Sequence, residues 1–460
     1  MNVVLISTYE LGRQPFGLAS PAAWLRQTGA HVTCLDLSRE AFQDDAVRAA
    51  DLVAFYVPMH TATRLAVQLI ESVRKLNPRA HICFYGLYSS MNEEYLRRLG
   101  VHSILGGEFE EGLAQLAARL QGAGGSNGST ISAKQAELVV SLARLKFQVP
   151  DRSGLVPLSQ YAHLVVPGGE HRTVGYTEAS RGCKHLCRHC PIVPVYNGVF
   201  RIVDREVVLA DIRQQVAAGA RHITFGDPDF FNGIGHALAI VKAFHSDYPQ
   251  LTYDVTIKIE HLRQHRKHLA TLRDTGCLFV TSAVESVDNQ VLAYLDKGHT
   301  RADFLAVVKE FRELGLTLQP TFVPFTPWTT LDGYVDLLRV LTDEGLEENV
   351  APIQLGIRLL IPAGSRLLEL QDVRRLAGPF DPESLVHPWS LPDPRVDALS
   401  ADVQKIVAAS EKMKRTRSAT FAKIWKTAAE AAGLTDEPLP SAPPMLSRAA
   451  IPYLNEPWYC

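Results

Sequence analysis

Three cysteines in the run SRGCKHLCRHCP carry the clearest chemistry of this sequence. Cys183, Cys187 and Cys190 follow the spacing C-x₃-C-x₂-C, which supplies three thiolates from one short loop. A 4Fe–4S cube usually takes four cysteine ligands. Since the next cysteine is Cys277, the spacing predicts a cluster with one open iron that can bind a small molecule.

Two other uses of these cysteines are open at this point. A structural zinc ion is one alternative, because His185 or His189 could complete a tetrahedron with the thiolates. Disulfides are disfavoured, because seven cysteines without a secretory signal fit a reducing compartment.

Length and charge limit the class of protein. A chain of 460 residues is long enough for two or three domains, and its net charge of −2 gives no basic excess that would indicate nucleic acid. The start, MNVVLISTYE, lacks the charged segment of a signal peptide, and no apolar run is long enough to span a bilayer. We therefore expect a soluble cytoplasmic protein with no membrane or nucleic-acid partner.

Residues 1–121 alternate short apolar runs with helical patterns. Such alternation predicts an α/β domain with a parallel sheet covered on both faces, a doubly wound, Rossmann-like fold that binds ligands at the carboxyl ends of its strands. The predicted strands are 3–6, 31–35, 52–57, 80–85 and 103–105. Residues 122–150 then read as a linker, with the small-residue stretch GAGGSNGST and a bridging helix over 133–144.

Residues 151–390 repeat the strand–helix alternation six times, which predicts a partial (β/α)₆ barrel. The predicted strands are 174–179, 222–225, 252–259, 278–284, 317–324 and 354–360. The cysteine loop follows the first of them, at the edge where barrel sites gather. Residues 391–460 read as a helix over 397–431 and a proline-rich tail that ends in Trp458, Tyr459 and Cys460.

The cysteine loop after the first barrel strand resembles the hallmark of the radical S-adenosylmethionine (radical SAM) superfamily. The resemblance implies a 4Fe–4S cluster whose open iron chelates SAM, and an enzyme that cleaves SAM reductively. It also implies that Gly226 and Asp227 in ITFGDPDFFN, and Glu285 and Ser286 in TSAVESVDNQ, lie near SAM. The family's Gly-Gly-Glu-like turn is Gly-Asp-Pro here.

Further rim residues have alternative explanations. Lys258 ends the third strand and is assigned to the cofactor site, although it could pair with Glu260 instead. Arg358 could bind a carboxylate or phosphate bidentately in the cavity, and a structural salt bridge is equally consistent with the sequence. Asp227 could also serve only in a turn, because Asp-Pro favours turns.

The N-terminal domain resembles the cobalamin-binding domain that precedes many radical SAM barrels. The matching segments are GLYSSMNEEYL and GVHSILGGEFEEGL, in which Gly86, Gly106 and Gly107 would let the backbone approach a flat ring. The D-x-H-x-x-G motif that supplies a histidine ligand is absent. The alternative is a degenerate domain that only packs on the barrel.

The tail resembles a radical SAM selenoprotein group whose chains end in Cys-Sec-Ala-Glu-Pro or Cys-Cys-Ala-Glu-Pro. Because the selenocysteine codon is also a stop codon, one hypothesis is that the sequence NEPWYC stops where selenocysteine should follow. Cys460 is then a candidate catalytic residue that donates a hydrogen atom, carries a substrate or ligates iron.

These features predict a radical SAM enzyme that modifies a small molecule, by methyl or aminocarboxypropyl transfer with cobalamin. It would need an electron donor such as a flavodoxin or ferredoxin. The alternatives are a non-catalytic Fe–S or zinc redox sensor, and a scaffold for metal or selenium delivery through the tail.

Overall fold

The computed structural model describes residues 1–123, 138–166, 169–434 and 452–455. Within these ranges, no helix combines the length and the apolar character that crossing a membrane requires. The described residues form two large sheets with helices around them, so the predicted α/β class is confirmed.

The first sheet is parallel and has the strand order β2-β1-β3-β4-β5-β6. Its strands are β1 (Asn2–Ser7), β2 (His31–Asp36), β3 (Leu52–Tyr56), β4 (His81–Tyr85), β5 (Ser103–Gly107) and β6 (Val140–Ser141). All residues of β3 and β5 are buried, as expected for strands covered on both faces.

Helices cover both faces of this sheet, and each face has its own hydrophobic core. The helices are α1 (Phe16–Gln27), α2 (Asp44–Arg48), α3 (His60–Leu76), α4 (Leu87–Met91), α5 (Glu93–Arg98) and α6 (Glu110–Ala123). Helices α1 and α6 pack on one face and α3 and α5 on the other, which gives the doubly wound arrangement that the sequence predicts.

The bridging helix predicted over 133–144 is wrong for its described part. Residues 138–144 contain no helix, and Val140–Ser141 instead adds a sixth strand beside Gly106 and Gly107. The backbone amide of Gly106 donates to Val139 O at 2.6 Å, so pairing with an open sheet edge replaces helix formation here. Residues 124–137, which include most of the small-residue stretch GAGGSNGST, lie outside the described residues.

The second sheet has seven strands and curls into a half-barrel with the order β14-β13-β12-β11-β8-β7-β15. Strands β8 to β14 of this sheet run parallel, whereas β7 and β15 are antiparallel to their neighbours. Its strands are β7 (His163–Val165), β8 (His171–Thr177), β11 (His222–Phe225), β12 (Thr252–Thr256), β13 (Cys277–Glu285), β14 (Thr317–Phe322) and β15 (Tyr453–Leu454). A separate hairpin joins β9 (Ser180–Gly182) to β10 (Phe200–Ile202).

Helices connect the barrel strands and continue beyond them. They are α7 (Val193–Tyr196), α8 (Arg205–Ala217), α9 (Ile234–Asp247), α10 (Ile259–Gln264), α11 (Leu269–Asp274), α12 (Asn289–Tyr294), α13 (Arg301–Leu314), α14 (Leu331–Asp343), α15 (Gln371–Leu376), α16 (Pro394–Lys412) and α17 (Arg417–Ala431). The single helix predicted over 397–431 is therefore two helices, because Lys414 adopts φ +51° and the Thr416 side chain caps the start of α17.

The sixth barrel strand predicted over 354–360 does not form. Pro352–Leu355 is a 3₁₀-helix, and the sixth unit touches the barrel through one parallel bridge between Phe325 and Arg358. A proline at the start and Gly356 after the helix explain why the apolar run does not extend as a strand.

The late strand β15 completes the wall of the half-barrel. Tyr453 and Leu454 pair with β7, and the Gln319 side chain on β14 donates to Pro452 O at 2.5 Å. These contacts place residues 452–455 between β7 and β14. The guanidinium of Arg417 stacks over the Tyr453 ring at 5.0 Å, which ties helix α17 to the same strand.

A buried group of charges, which we call the interdomain ion cluster, joins the two sheets. It consists of Glu108 and Glu110 after β5, and Glu178 and Arg181 after β8. The guanidinium lies 3.3, 2.6 and 2.7 Å from the carboxylates of Glu108, Glu110 and Glu178. Because a buried cation is costly without partners, this cluster holds the two parts of the protein together only as a complete set.

Candidate active site

The cysteine loop lies between β9 and α7, at the carboxyl edge of the half-barrel. Cys183 and Cys187 are buried and Cys190 is partly exposed. The Asn232 side-chain oxygen accepts from the backbone amide of Lys184 at 3.3 Å, and further along the loop the amide of Arg188 donates to a carbonyl of the α12 end at 2.9 Å. Contacts at both ends of the loop therefore hold the three thiols towards the barrel.

The environment of the thiols fits a cluster better than one ion. Burial raises the pKa of Cys183, and it raises the pKa of Cys190 to about 12, so both groups need a bound cation to become thiolates. Among the described residues, the three sulfur atoms are not a set whose members all lie within 4.8 Å of one another. A single zinc ion would draw them closer than this, whereas a cube of four irons spreads its ligands.

The two histidines of the loop point to different partners. His189 Nε2 lies 3.1 Å from Glu285 Oε1, whereas His185 Nε2 lies 3.2 Å from His261 Nε2. Both imidazoles therefore already contact other side chains. Neither one completes a zinc site with the thiolates in this arrangement.

Glu285 lies at the centre of a charged rim beside the loop. The register of β13 and β14 shifts just before it, and its backbone adopts φ +70°, a conformation that a non-glycine residue keeps only under constraint. Its carboxylate is 3.1 Å from His189 Nε2 and 3.3 Å from Lys297 Nζ. Burial alone would raise the pKa of Glu285, but Lys297 and His189 lower it to about 2, so the group is ionised.

Two more basic groups, Lys258 and His299, complete this rim. Lys258 is buried and donates to Glu260 at 3.2 Å, so the alternative pairing considered from the sequence is present. His299 is 7% exposed, and although the Lys297 backbone is near, neither ring nitrogen has a hydrogen bond of acceptable geometry. Burial and the charges of Lys297 and Lys258 lower the pKa of His299 to about 4, which leaves a neutral imidazole.

Asp227 supports the cysteine loop from within the barrel. Its carboxylate accepts from the Ala179 backbone amide at 2.9 Å and from the Ser180 hydroxyl at 2.6 Å. Burial raises the pKa of Asp227 to about 7, although both hydrogen bonds act in the opposite direction. The side chain thus serves the turn before Cys183, and its role towards a cofactor stays a prediction.

Gly226 occupies a position where no other residue fits. A Cβ built there would lie 1.8 Å from the hydroxyl oxygen of Tyr176, a buried side chain. Gly226→Ala is therefore expected to reduce the free energy of unfolding by about 1–3 kcal/mol, as overpacking does. Urea unfolding followed by circular dichroism would measure the change.

Gly235→Ala is the matched control for that substitution. Gly235 lies in α9 with open space around its Cα, so alanine should stabilise the helix by about 0.5–1 kcal/mol. Equal stability of the two variants would contradict the packing assigned to Gly226.

Ser286 and Arg358 are occupied by the chain itself. The Ser286 hydroxyl oxygen accepts from the Asp288 amide at 3.1 Å, at the start of α12. Arg358 donates to Asp397 Oδ1 and to Trp389 O, both at 2.6 Å, and stacks on the Trp389 ring. The structural salt bridge considered from the sequence is thus the one observed, and Arg358 is not free for a ligand in this arrangement.

The three glycines assigned to cobalamin approach the chain's own atoms. A Cβ on Gly86 would lie 3.1 Å from the ring of Tyr56, and one on Gly107 would lie 2.2 Å from Ser141 O. Gly106 is packed as closely, with a serine oxygen 2.4 Å from such a Cβ. Each glycine thus has a packing reason within the chain, and its approach to a cobalamin ring stays a prediction.

Two further cysteines were considered in the sequence, Cys277 and Cys460, and the structure describes only the first. Cys277 is buried at the start of β13, the opposite end of that strand from Glu285, which confirms that it is no fourth ligand. Cys460 and the last residues of the tail lie outside the described residues. The catalytic role of Cys460 and the selenocysteine hypothesis therefore stay predictions.

Sequence reasoning missed several residues that the structure brings to the rim. Lys297 and His299 lie within the segment TSAVESVDNQVLAYLDKGHT that was compared with the family, yet only Glu285 and Ser286 were selected from it. Two basic side chains within the family segment were the available signal. No sequence signal pointed to His261 and Asp229, because their partner His185 is far away in the sequence.

Comparison with known proteins places this geometry in a family context. Residues 177–338 match the model of the radical SAM superfamily. A tRNA-2-methylthio-N(6)-dimethylallyladenosine synthase of Fusobacterium nucleatum is 26% identical over 181 residues, 35% of this chain and 39% of that protein. A protein of Methanocaldococcus jannaschii provisionally named a methylthiotransferase is 21% identical over 302 residues, 62% of each chain. This chain thus spans less than two thirds of the length of either curated relative.

Solved structures share the arrangement of both sheets. The cobalamin-dependent SAM radical enzyme OxsB, solved with aqua-cobalamin, superposes with a TM-score of 0.69 at 16% identity, over 89% of this chain and 67% of that one. The radical SAM methyltransferase TsrM of Kitasatospora setae gives a TM-score of 0.57 at 16% identity, over 75% and 72%. At such identities the likeness establishes the fold.

The matched region contains the cysteine loop, strands β11 to β14 and the charged rim. Such a domain implies a 4Fe–4S cluster and SAM, and the three thiols fit the cluster by their burial and spacing. The chain therefore contains a radical SAM domain, and this domain indicates that the protein is an enzyme.

Proposed function

We propose that the protein binds a 4Fe–4S cluster through Cys183, Cys187 and Cys190, cleaves SAM reductively and modifies a small molecule held inside the half-barrel. The observation that carries the proposal is the position of the three thiols, on one loop that faces the charged rim. When bound, the cluster supplies the electron that breaks a carbon–sulfur bond of SAM.

The rim offers charges of both signs for the methionine part of SAM. Lys258 and Lys297 suit a carboxylate, and the ionised Glu285 suits an ammonium group or a hydroxyl. Each is already paired within the rim, so no charge is left unbalanced before SAM binds. When SAM binds, its charged groups replace these internal partners. The rim groups that it contacts are already desolvated.

A cavity in the lumen provides room for the substrate. Its volume is about 540 Å³, within the range of small-molecule sites, and it reaches Gly226 at the rim. Thr256 on β12 stands opposite Thr281 on β13, which stands opposite Gln319 on β14. Closed barrels fill this layer with bulky branched side chains. Here two threonines and one glutamine occupy it, and the layer stays open.

The lining favours a polar substrate. The Asp254 carboxylate accepts from Thr224 at 2.6 Å and lies 2.9 Å from His222 Nε2. Arg13 and Glu348 line other parts of the cavity, so both charge signs are available. We infer a small molecule with several hydrogen-bonding groups, because buried polar walls reject apolar ligands.

The reaction class that we propose is group transfer from SAM. Methyl transfer and aminocarboxypropyl transfer are the two candidates, and the methylthiotransferase names of the relatives support a transfer reaction. A flavodoxin or ferredoxin is the proposed electron donor. Cobalamin, which the neighbour OxsB binds, stays a proposed cofactor with Gly86, Gly106 and Gly107 as its predicted contacts, and no step of this proposal runs through it.

Anaerobic turnover tests the proposal. The protein, reconstituted with iron and sulfide, is incubated with dithionite and SAM, and the products are identified by mass spectrometry. 5′-Deoxyadenosine supports the usual radical cleavage, S-adenosylhomocysteine supports methyl transfer, and methylthioadenosine supports aminocarboxypropyl transfer. The absence of all three products, from protein with an intact reduced cluster, would rule out the enzyme function.

His299→Leu separates a ligand-binding histidine from a structural one. Since the imidazole has no hydrogen bond to lose, leucine should leave the thermal midpoint equal or higher. A lost hydrogen bond to bound SAM costs about 1–3 kcal/mol, so its dissociation constant should rise roughly 5- to 150-fold. Equilibrium dialysis and thermal unfolding measure the two effects.

His222→Leu is the control for that substitution. His222 is also buried but bonds Thr252 at 2.8 Å and Asp254 at 2.9 Å, so its loss should destabilise the protein. If His299→Leu were destabilising and left SAM affinity unchanged, the histidine would be structural.

A further inference from the structure

A second group of potential ligands lies beside the cysteine loop, apart from the thiols. His185 reaches it from within the loop, Asp229 from the segment after β11, and His261 from α10 after β12. The loop and two neighbouring strand ends thus converge on one point. Asp229 and His261 are 0% and 1% exposed, so the point is shielded from solvent.

The three side chains are in direct contact. His185 Nε2 lies 3.2 Å from His261 Nε2 and 3.5 Å from Asp229 Oδ2. His261 Nδ1 lies 2.7 Å from Asp229 Oδ2. Among the residues that the structure describes, this is the group of three potential ligands whose atoms all lie within 4.8 Å.

Hydrogen bonding satisfies this group only in part. The two Nε2 atoms share one proton in a hydrogen bond, so that pair is satisfied. Asp229 Oδ2 and His261 Nδ1, by contrast, are both buried without a hydrogen-bond partner of acceptable geometry, in spite of their 2.7 Å separation. Crowded, unsatisfied lone pairs of this kind are what a cation would satisfy.

We propose that His185, Asp229 and His261 bind one divalent transition-metal ion, Zn²⁺ or Fe²⁺, separate from the 4Fe–4S cluster. Two imidazoles and a carboxylate are a common ligand set for both ions. With bonds of about 2.0–2.1 Å, tetrahedral ligand atoms lie roughly 3.3 Å apart. The contacts of 3.2 and 3.5 Å around His185 Nε2 match this spacing, whereas the 2.7 Å contact of His261 Nδ1 with Asp229 Oδ2 is shorter and must lengthen if both of these atoms bind the ion.

Glu260 strengthens the assignment from the other side of His185. Its Oε2 lies 3.4 Å from His185 Nδ1 and also accepts from Lys258 at 3.2 Å. A carboxylate behind a metal-bound histidine fixes the tautomer that leaves Nε2 free to bind the ion. Since His185 stands between Cys183 and Cys187, the ion would tie the loop to β11 and β12.

Metal analysis of the whole protein tests the site without any substitution. Protein made under argon is incubated with one equivalent of ZnCl₂, or separately of ⁵⁷Fe²⁺, and then desalted. We expect one ion per chain beyond the cluster. Zinc should show only nitrogen and oxygen neighbours in X-ray absorption, and iron should show a high-spin Fe²⁺ Mössbauer doublet beside the cluster signal.

Two variants separate this ion from the cluster. His261→Gln should lower occupancy of the single ion at least tenfold, whereas Cys187→Ala should lose the cluster iron and keep the single ion. His222→Gln is the matched control, because that histidine pairs with Asp254 in the barrel and should leave both metals unchanged.

Three results would overturn the proposal. One is wild-type protein that retains neither probe ion beyond its cluster. Another is zinc with sulfur neighbours, which would place it among the cysteines. The third is unchanged single-ion content in a folded His261→Gln protein.

Discussion

Replacing Arg181 with methionine is expected to lower the free energy of unfolding by about 3–5 kcal/mol, the cost of leaving buried charges without their partner. Arg181 is the cation of the interdomain ion cluster, and three carboxylates lie within 3.3 Å of it. Methionine has a similar length but no charge, so the change removes the ion pairs together with the stacking of the guanidinium on three phenylalanine rings.

The size of this loss should depend on pH. Burial raises the pKa of Glu178, and it raises that of Glu108 to about 7, while Arg181 opposes both shifts. Without Arg181 the carboxyls should titrate higher still. Folding of the Arg181→Met variant then takes up more protons. The loss in its free energy of unfolding therefore grows as pH rises from the ordinary carboxyl range through 7, and it shrinks as pH falls.

Urea unfolding at pH 5.5 and pH 8 measures both effects. Arg172→Met is the control, because its ion pair with Glu170 lies at the surface and should contribute under about 1 kcal/mol. A loss for Arg181→Met that is no larger than for the control, or that does not change with pH, would show that the cluster does not join the two sheets.

Cys187→Ala should remove the cluster and with it the cleavage of SAM. Cluster iron in the reconstituted protein should fall from about four atoms per chain to fewer than one, since two cysteines are too few ligands for the cube. The visible absorbance of the cluster should disappear, and 5′-deoxyadenosine should fall below detection. Iron analysis, absorbance and mass spectrometry check the three results.

Cys277→Ala is the control for the loss of a buried thiol. Its sulfur contacts Phe279 O at the far end of β13, so the variant should keep four irons and full cleavage. An unchanged cluster spectrum in Cys187→Ala would refute the ligand assignment, whereas loss of iron in both variants would indicate a general folding defect.

Local sequence was enough to predict most of the fold. The first five strands were placed within a residue or two, because each is a short run of buried apolar residues between turn signals. The predictions failed where pairing with another strand, or a proline or glycine that interrupts an apolar run, decides the structure. Val140–Ser141 became a strand by meeting a sheet edge, and Pro352–Leu355 became a 3₁₀-helix.

The candidate site was predictable only where its residues are neighbours in sequence. The cysteine spacing was recognisable because all three ligands share one loop. The contact of His189 with Glu285 spans 96 positions and that of His185 with His261 spans 76, so both depend on the curl of the barrel. The contact of Arg181 with Glu108 spans 73 positions and depends on how the two sheets pack. The sequence analysis did not connect these two residues.

The pairing of β15 with β7 sets an order on the assembly of the protein. The contact between His163 and Asn455 joins residues 292 positions apart, so this seam cannot close until a ribosome has made residue 455. Every other strand of the half-barrel has been made by then. During translation the lumen is therefore open along one side until β15 pairs with β7.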